Sequence, residues 1–178
     1  MSNMSIDIDK TIATAMQVVT DPVSFYKDMP QSGGFQAPLI FAAIMAAVTA
    51  AVLFTLAIVG LGALGSMGLG SVTMLIVYPI AVVVACFIMG GILFFIWNLM
   101  GSSKDYEMAV RCFAFSTAVL PVVAALSILP LVGDLASPLW GCFLMYTASV
   151  HAHALDDKKS QTVFGVLAVI FALGVLSR

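Results

Sequence analysis

One uncharged segment of 23 residues, from Pro38 to Gly60, constrains the fold of this chain more than any other feature. As an α-helix it would reach about 35 Å, enough to cross the hydrocarbon core of a bilayer, which is about 30 Å thick. Of all residues, 62% are hydrophobic and only 9% are charged, whereas about 25% are charged in a typical soluble domain. The sequence therefore predicts an integral membrane protein.

Four more apolar segments follow, and together they predict an all-α, polytopic bundle of five transmembrane helices. The predicted spans are residues 38–60, 72–100, 109–129, 137–154 and 162–176. Pro79 and Pro121 lie inside the second and third spans, where a proline removes a backbone donor and kinks the helix. The residues from Pro130 to Asp134 are predicted to form a tight connection, and Trp97 is expected in the aromatic belt at a membrane interface.

The first 37 residues are predicted to form a cytoplasmic segment, with residues 38–178 as the membrane domain. In residues 6–19, Ile8, Ile12, Ala15 and Val19 recur at helical spacing, which predicts a short amphipathic helix. This helix could lie on the membrane surface or dock beneath the bundle. The alternative is a frayed tail.

A second short helix is predicted after Thr20. Asp21 is placed to cap its first turn, and Pro22 suits the first helical position. Phe25 and Tyr26 are then expected to anchor this helix at the membrane interface.

The distribution of basic residues predicts the orientation. With five spans, six of them share one side: Lys10, Lys27, Lys104, Arg111, Lys158 and Lys159. Only Arg178 lies on the other side. The positive-inside rule then places the N-terminus in the cytoplasm and the C-terminus on the opposite side. The short fifth span is the weakest element of this prediction.

Sequence motifs give no catalytic site. No charged residue or histidine lies near the middle of a predicted span, which argues against proton-coupled transport and intramembrane proteolysis. Residues 60–65, GLGALG, match the dinucleotide fingerprint in form but lack the preceding strand and the later acidic residue, so a turn is expected and no cofactor is predicted. There is no basic patch suited to nucleic acid. Cys86, Cys112 and Cys142 are expected to be small buried side chains.

His151 and His153 are weak candidates for a metal site, with Asp156 and Asp157 close in sequence. Histidines that share a metal on one helix face stand four residues apart. Two residues apart, they point to different sides of a helix. Interfacial or pH-tuned loop residues are the favoured interpretation.

Residues 97–123, WNLMGSSKDYEMAVRCFAFSTAVLPVV, resemble the prokaryotic branch of the Yip domain family, and the likeness extends over nearly the whole chain. The positions that carry it include Tyr106, Arg111, Pro121 and Gly133. The resemblance implies five spans with a cytoplasmic N-terminus. It implies structural or partner-contact roles for these four residues, and no catalysis. Eukaryotic relatives bind Rab-type GTPases, but the short N-terminal region here offers little to grip one.

Two functions remain open from the sequence. The first is a non-enzymatic scaffold or accessory subunit, whose partners are the lipid bilayer and another membrane protein or a second copy of the chain. The second is permeation of small solutes or ions, or lipid handling, which predicts a cavity lined by polar span residues. The candidates are Thr49, Thr55, Thr73, Tyr78, Ser116, Thr117, Ser127, Tyr146 and Thr147.

Overall fold

A computed structural model describes residues 7–61 and 70–177, and every regular element in these ranges is helical. The elements are α1 (Ile8–Thr20), α2 (Pro22–Asp28), α3 (Gln36–Ile58), α4 (Gly70–Met100), α5 (Tyr106–Ser116), a 3₁₀ turn (Thr117–Val119), α6 (Leu120–Leu126), α7 (Pro130–His151) and α8 (Asp157–Leu176). The predicted all-α class is confirmed for the described residues. Residues 62–69, which hold most of the glycine-rich turn predicted after the first span, lie outside them.

Four helical stretches are long and apolar enough to cross a membrane: Gln36–Ile58, Val72–Met100, Tyr106–Leu126 and Asp157–Leu176. The predicted fourth span falls on α7, which is not among them. Its 22 residues reach about 33 Å, but Asp134, Pro138 and several hydroxyl and glycine residues lower its hydropathy. The count of five spans therefore stays a prediction. The short fifth span, the weakest by sequence, lies within one of the four qualifying helices.

The predicted kink at Pro121 corresponds to a break in the helix. The 3₁₀ turn Thr117–Val119 separates α5 from α6, and Pro121 lies in the first turn of α6. Proline is tolerated there because the first N–H groups of a helix have no intrahelical acceptor. Pro79, by contrast, lies inside the continuous helix α4.

The tight connection predicted at Pro130–Asp134 is wrong, because Pro130 begins α7. A proline at the first helical position has the φ angle of a helix and needs no acceptor. Gly133 is then the residue that lets the chain reverse: a Cβ there would lie 2.7 Å from the Cα of Ser127. Gly133 thus allows α7 to begin directly against the end of α6.

The N-terminal helices pack into the bundle. Asp21 caps α2 by accepting from the Ser24 N–H at 3.1 Å, as predicted. Phe25 and Tyr26, expected at the interface, are instead buried in the main core with residues of α3, α4, α5, α7 and α8. The Tyr26 hydroxyl donates to the Cys112 carbonyl at 3.2 Å. This contact joins α2 to the middle of α5.

Helix α1 is present, but its predicted apolar side is divided between core and surface. Ala15 and Val19 pack against the core, whereas Ile8, Ile12 and Met16 are exposed. The assignment of α1 as an interfacial amphipathic helix stays a prediction, as does the domain boundary after residue 37.

Small residues bring α3, α4 and α5 together. Ala42, Cys86, Val110 and Ala114 form a fully buried cluster, and Gly90 of α4 lies directly against Val110. Close backbone approach through small side chains is a common way for helices to associate in membranes. The three cysteines are buried free thiols, as expected.

Candidate functional site

An ion pair on α5, between the buried Arg111 and the partly exposed Glu107, holds the loop that precedes the first span. Arg111 Nη1 donates to the Gly34 carbonyl at 2.7 Å and lies 3.3 Å from Glu107 Oε1. The same Glu107 oxygen accepts from the Gly34 N–H at 2.8 Å. Both backbone groups of Gly34 are therefore paired by Glu107 and Arg111. We call these three residues the Arg111 clasp.

The local sequence explains why the clasp forms. Asp105 caps α5 by accepting from the Met108 N–H at 3.0 Å. Because Glu107 and Arg111 stand four residues apart in this helix, their side chains lie on the same face. Gly34 has a φ angle of +75°, in a region that glycine enters without the steric cost of a side chain. Arg111 is only 4% exposed, so its charge depends on these partners. Its Nε is buried and has no hydrogen-bond partner among the described residues.

Tyr106 holds the adjacent part of the same loop. Its hydroxyl donates to the Phe87 carbonyl of α4 at 2.9 Å, and its ring centroid lies 6.1 Å from that of Phe35. Tyr106 and Arg111 thus act on neighbouring residues of the loop before α3. Pro121 and Gly133 lie elsewhere, at the break in the third span and at the start of α7. The structure does not bring the four residues into one site.

Arg111 of the clasp lines a cleft of about 580 Å³ between α1, α2, α3 and α5. Phe25, Phe41 and Phe115 are among its apolar lining residues, and Lys10 of α1 and the N-cap residue Asp7 also line it. A second, smaller cleft of about 280 Å³ between α4, α5, α7 and α8 is almost wholly apolar. Sequence reasoning missed the first cleft, because it depends on α1 and α2 packing into the bundle.

A second polar cluster surrounds His153. Its Nδ1 lies 2.8 Å from Ser102 Oγ, and its Nε2 lies 3.9 Å from Cys112 Sγ. The ring stacks on Trp97, with 3.9 Å between the ring centroids. Trp97 was expected in an interfacial belt, but it is 1% exposed. The contact with His153 accounts for the difference, because it encloses the indole at the end of α4.

The two histidines proposed as weak metal candidates have different surroundings. His151 is the half-buried last residue of α7, whereas His153 is buried in the turn that follows. Among the described residues, no three or more side chains of His, Cys, Asp and Glu are placed to share a metal ion. The contacts of His153 favour a structural role at the junction of α4, α5 and α7.

Ser149→Ala is expected to lower the free energy of unfolding by about 1–3 kcal/mol, because it leaves the buried indole N–H of Trp97 without an acceptor. That N–H donates to Ser149 Oγ at 2.6 Å. Thermal unfolding in detergent measures the effect. Ser116→Ala is the matched control, since that buried hydroxyl donates within its own helix to the Phe113 carbonyl. Equal melting temperatures for the two variants would contradict the role given to Ser149.

His153 is expected to make stability depend on pH. Burial, with a smaller contribution from Lys104, lowers the pKa of His153 from 6.5 to about 4, while Asp105 opposes the shift. The folded state thus binds its proton at lower pH than the unfolded state. The contribution of neutral His153 to the free energy of unfolding is complete above about pH 6.5. It is lost as the pH falls toward 4, by about 2 kcal/mol between pH 7 and pH 5.

Melting temperatures measured from pH 7 to pH 4.5 test this dependence. The wild type and His151→Asn should lose stability over this range in parallel, because both keep His153. His153→Gln should be less stable at pH 7 but change less with pH. A slope for His153→Gln equal to that of the wild type would show that His153 is not responsible.

Comparison with known families agrees with the membrane helices described above. The model of the Yip1 domain matches residues 16–178. No curated protein and no solved structure matches the chain at a significant level. The family match covers α2 to α8 and the C-terminal part of α1, together with both polar clusters. The chain belongs to the Yip1 domain family and is an integral, multi-pass membrane protein.

Proposed function

We propose that this protein is a non-enzymatic membrane scaffold or accessory subunit, which acts through helix–helix and cytoplasmic-loop contacts. The observation that carries the proposal is the free surface of α8. Its buried residues are Ser160 and Phe164, both near its start. Large exposed apolar side chains follow, at Val166, Val169, Ile170, Phe171, Leu173 and Leu176. Although α8 packs against α7, this exposed face is uncovered within the described chain, and in a membrane-spanning helix it is available to a second membrane protein or a second copy.

The proposed topology has five spans, with α7 as the fourth, a cytoplasmic N-terminus and the C-terminus on the opposite side. The charge distribution supports it through the positive-inside rule. Lys159, at the start of α8, donates to the Met100 carbonyl at 2.7 Å. This contact supports the arrangement, because it brings the end of the second span and the start of the last to the same side.

The alternative, permeation through a polar cavity, has less support. Six of the nine hydroxyl side chains proposed for such a cavity donate to carbonyls of their own helical turns: Thr49, Thr55, Ser116, Thr117, Ser127 and Thr147. Of the nine, only Ser116 lines either cleft described above. Hydroxyls that bond back to the helix are typical of structural residues.

Site-specific photocrosslinking in membranes tests the scaffold proposal. A crosslinker at Val169 or Leu173 should give a defined adduct with another membrane protein or with a second copy. A crosslinker at Leu144, which is fully buried in the bundle, is the matched control and should give none. A protein that purifies in mild detergent as a lone monomer, without adducts from either exposed position, would contradict the proposal.

A further inference from the structure

We propose that the cleft beside the Arg111 clasp binds one anionic phospholipid of the surrounding bilayer. The headgroup phosphate would lie toward Arg111 and Lys10, and an acyl chain would run along Ile40, Ile44 and Phe115. This inference does not depend on the scaffold role. It depends on a cleft that combines a buried cation with apolar walls in a membrane-embedded protein.

The first support is the shape and position of the cleft. A volume of about 580 Å³ is within the range of about 300–1,000 Å³ that is usual for ligand sites. Ala37 and Pro30 line it and are exposed, so it opens at the surface. From Ala37 to Ile44 it follows α3 over eight residues, about 10 Å along a membrane-spanning helix. A ligand that enters at this end can therefore extend toward the bilayer interior.

The second support is charge. The lining contains two cationic side chains, Lys10 and Arg111, and one carboxylate, Asp7, which already accepts from the Lys10 N–H at 3.0 Å. The carboxylate of Glu107 binds one guanidinium nitrogen of Arg111, while Arg111 Nε is buried without a partner in the described part of the chain. Buried polar groups of this kind are usually satisfied by a hydrogen bond. An anionic oxygen is the partner that suits a guanidinium best.

The third support is the chemistry of the remaining lining. Thr11 and Thr14 of α1 add hydroxyl groups near Lys10, whereas Ile40, Phe41 and Ile44 of α3 form an apolar wall. The α1 side of the cleft thus carries polar groups, and the α3 side is apolar. A soluble anion would contact only the polar groups, but a phospholipid would contact both sides. This separation is why we assign the site to a lipid and not to free phosphate.

Native mass spectrometry of the full chain in detergent tests the assignment, with phosphatidylglycerol, phosphatidylcholine and inorganic phosphate as probes. The wild type should retain phosphatidylglycerol about tenfold more tightly than phosphatidylcholine, because only the first has a net negative headgroup. Equal retention of the two lipids would overturn the proposal. Inorganic phosphate that binds as tightly as phosphatidylglycerol would show a site for a free anion and would also overturn it.

Two substitutions that fill the cleft locate the site. Ala37→Trp and Ile40→Trp should each reduce the preference for phosphatidylglycerol about tenfold or more. Ala81→Trp is the matched control, because Ala81 is exposed on α4 and does not line the cleft, and it should keep the wild-type preference. Unchanged binding in a folded cleft variant would contradict the assignment. If both cleft variants fail to fold, the comparison of lipids on the wild type still decides the proposal.

Discussion

Arg111→Met is expected to destabilise the protein by about 3 kcal/mol, one of the two largest effects we anticipate for a single substitution. Removal of one member of a buried ion pair typically costs about 3–5 kcal/mol, because the other charge stays buried. The lower end of this range applies here, since Glu107 keeps the Gly34 N–H and its side chain is 24% exposed. The Gly34 carbonyl also loses its donor. The measurement is chemical or thermal unfolding in detergent.

Lys158→Met is the matched control for Arg111→Met. It removes one positive charge from an exposed position, and surface charges of this kind contribute little to stability. Its effect should stay within about 0.5 kcal/mol. Arg111→Lys should give an intermediate loss, because an ammonium group lacks the planar fork of donors. Hydrogen exchange at the Gly34 amide should rise in both Arg111 variants, because the loop opens more often once Arg111 no longer holds the Gly34 carbonyl, although Glu107 can still accept from the N–H. Wild-type stability in Arg111→Met would mean that the clasp does not hold the loop.

Gly90→Ala should be the other strongly damaging substitution, although it adds a single methyl group. A Cβ at Gly90 would lie 2.6 Å from Val110 Cγ2 and 3.0 Å from Val110 Cα. The second contact is with backbone, so α4 and α5 must move apart at the centre of the small-residue cluster. Overpacking of this kind costs about 1–3 kcal/mol, and sometimes more. The same unfolding measurement in detergent reports the loss.

Gly91→Ala is a matched control on the neighbouring residue of the same helix. A Cβ there would approach only Tyr106, at 3.8 Å, which is ordinary van der Waals contact. Because alanine favours the helix over glycine by about 1 kcal/mol, Gly91→Ala should be neutral or slightly stabilising. A loss for Gly91→Ala as large as that for Gly90→Ala would contradict the close approach of α4 and α5 at Val110.

Sequence patterns predicted the membrane helices well, because apolar length is a direct consequence of bilayer thickness. The predicted second span, residues 72–100, coincides with an observed helix that meets the requirements for crossing. Two later helices, α5 and α8, begin several residues before the predicted spans, because capping residues precede the apolar segments. Asp105 begins α5 before the apolar segment, and Asp156 does the same for α8 by accepting from the Lys159 N–H at 2.8 Å. These polar first turns belong to the helices but not to the hydropathy signal.

The Arg111 clasp and the cleft beside it were harder to predict from the sequence, because their contacts join distant parts of the chain. Arg111 was named as a residue of interest, but its partner Gly34 is 77 positions away. The spacing of four between Glu107 and Arg111 was a local signal that could have indicated the ion pair. The packing of α1 and α2 gave no comparable signal, since Phe25 and Tyr26 suit an interface as well as a core. Their burial created the cleft that carries the lipid proposal.

The proposed five-span topology is tested most directly by cysteine labelling on both sides of the membrane. In a background with Cys86, Cys112 and Cys142 replaced by alanine, single cysteines are introduced at four exposed positions: Lys27, Leu129, Lys158 and Ser177. We expect a membrane-impermeant maleimide to label the Leu129 and Ser177 positions in intact cells. The Lys27 and Lys158 positions should react only after permeabilisation. Labelling of Leu129 and Lys158 from the same side would show that α7 does not cross, and would contradict five spans.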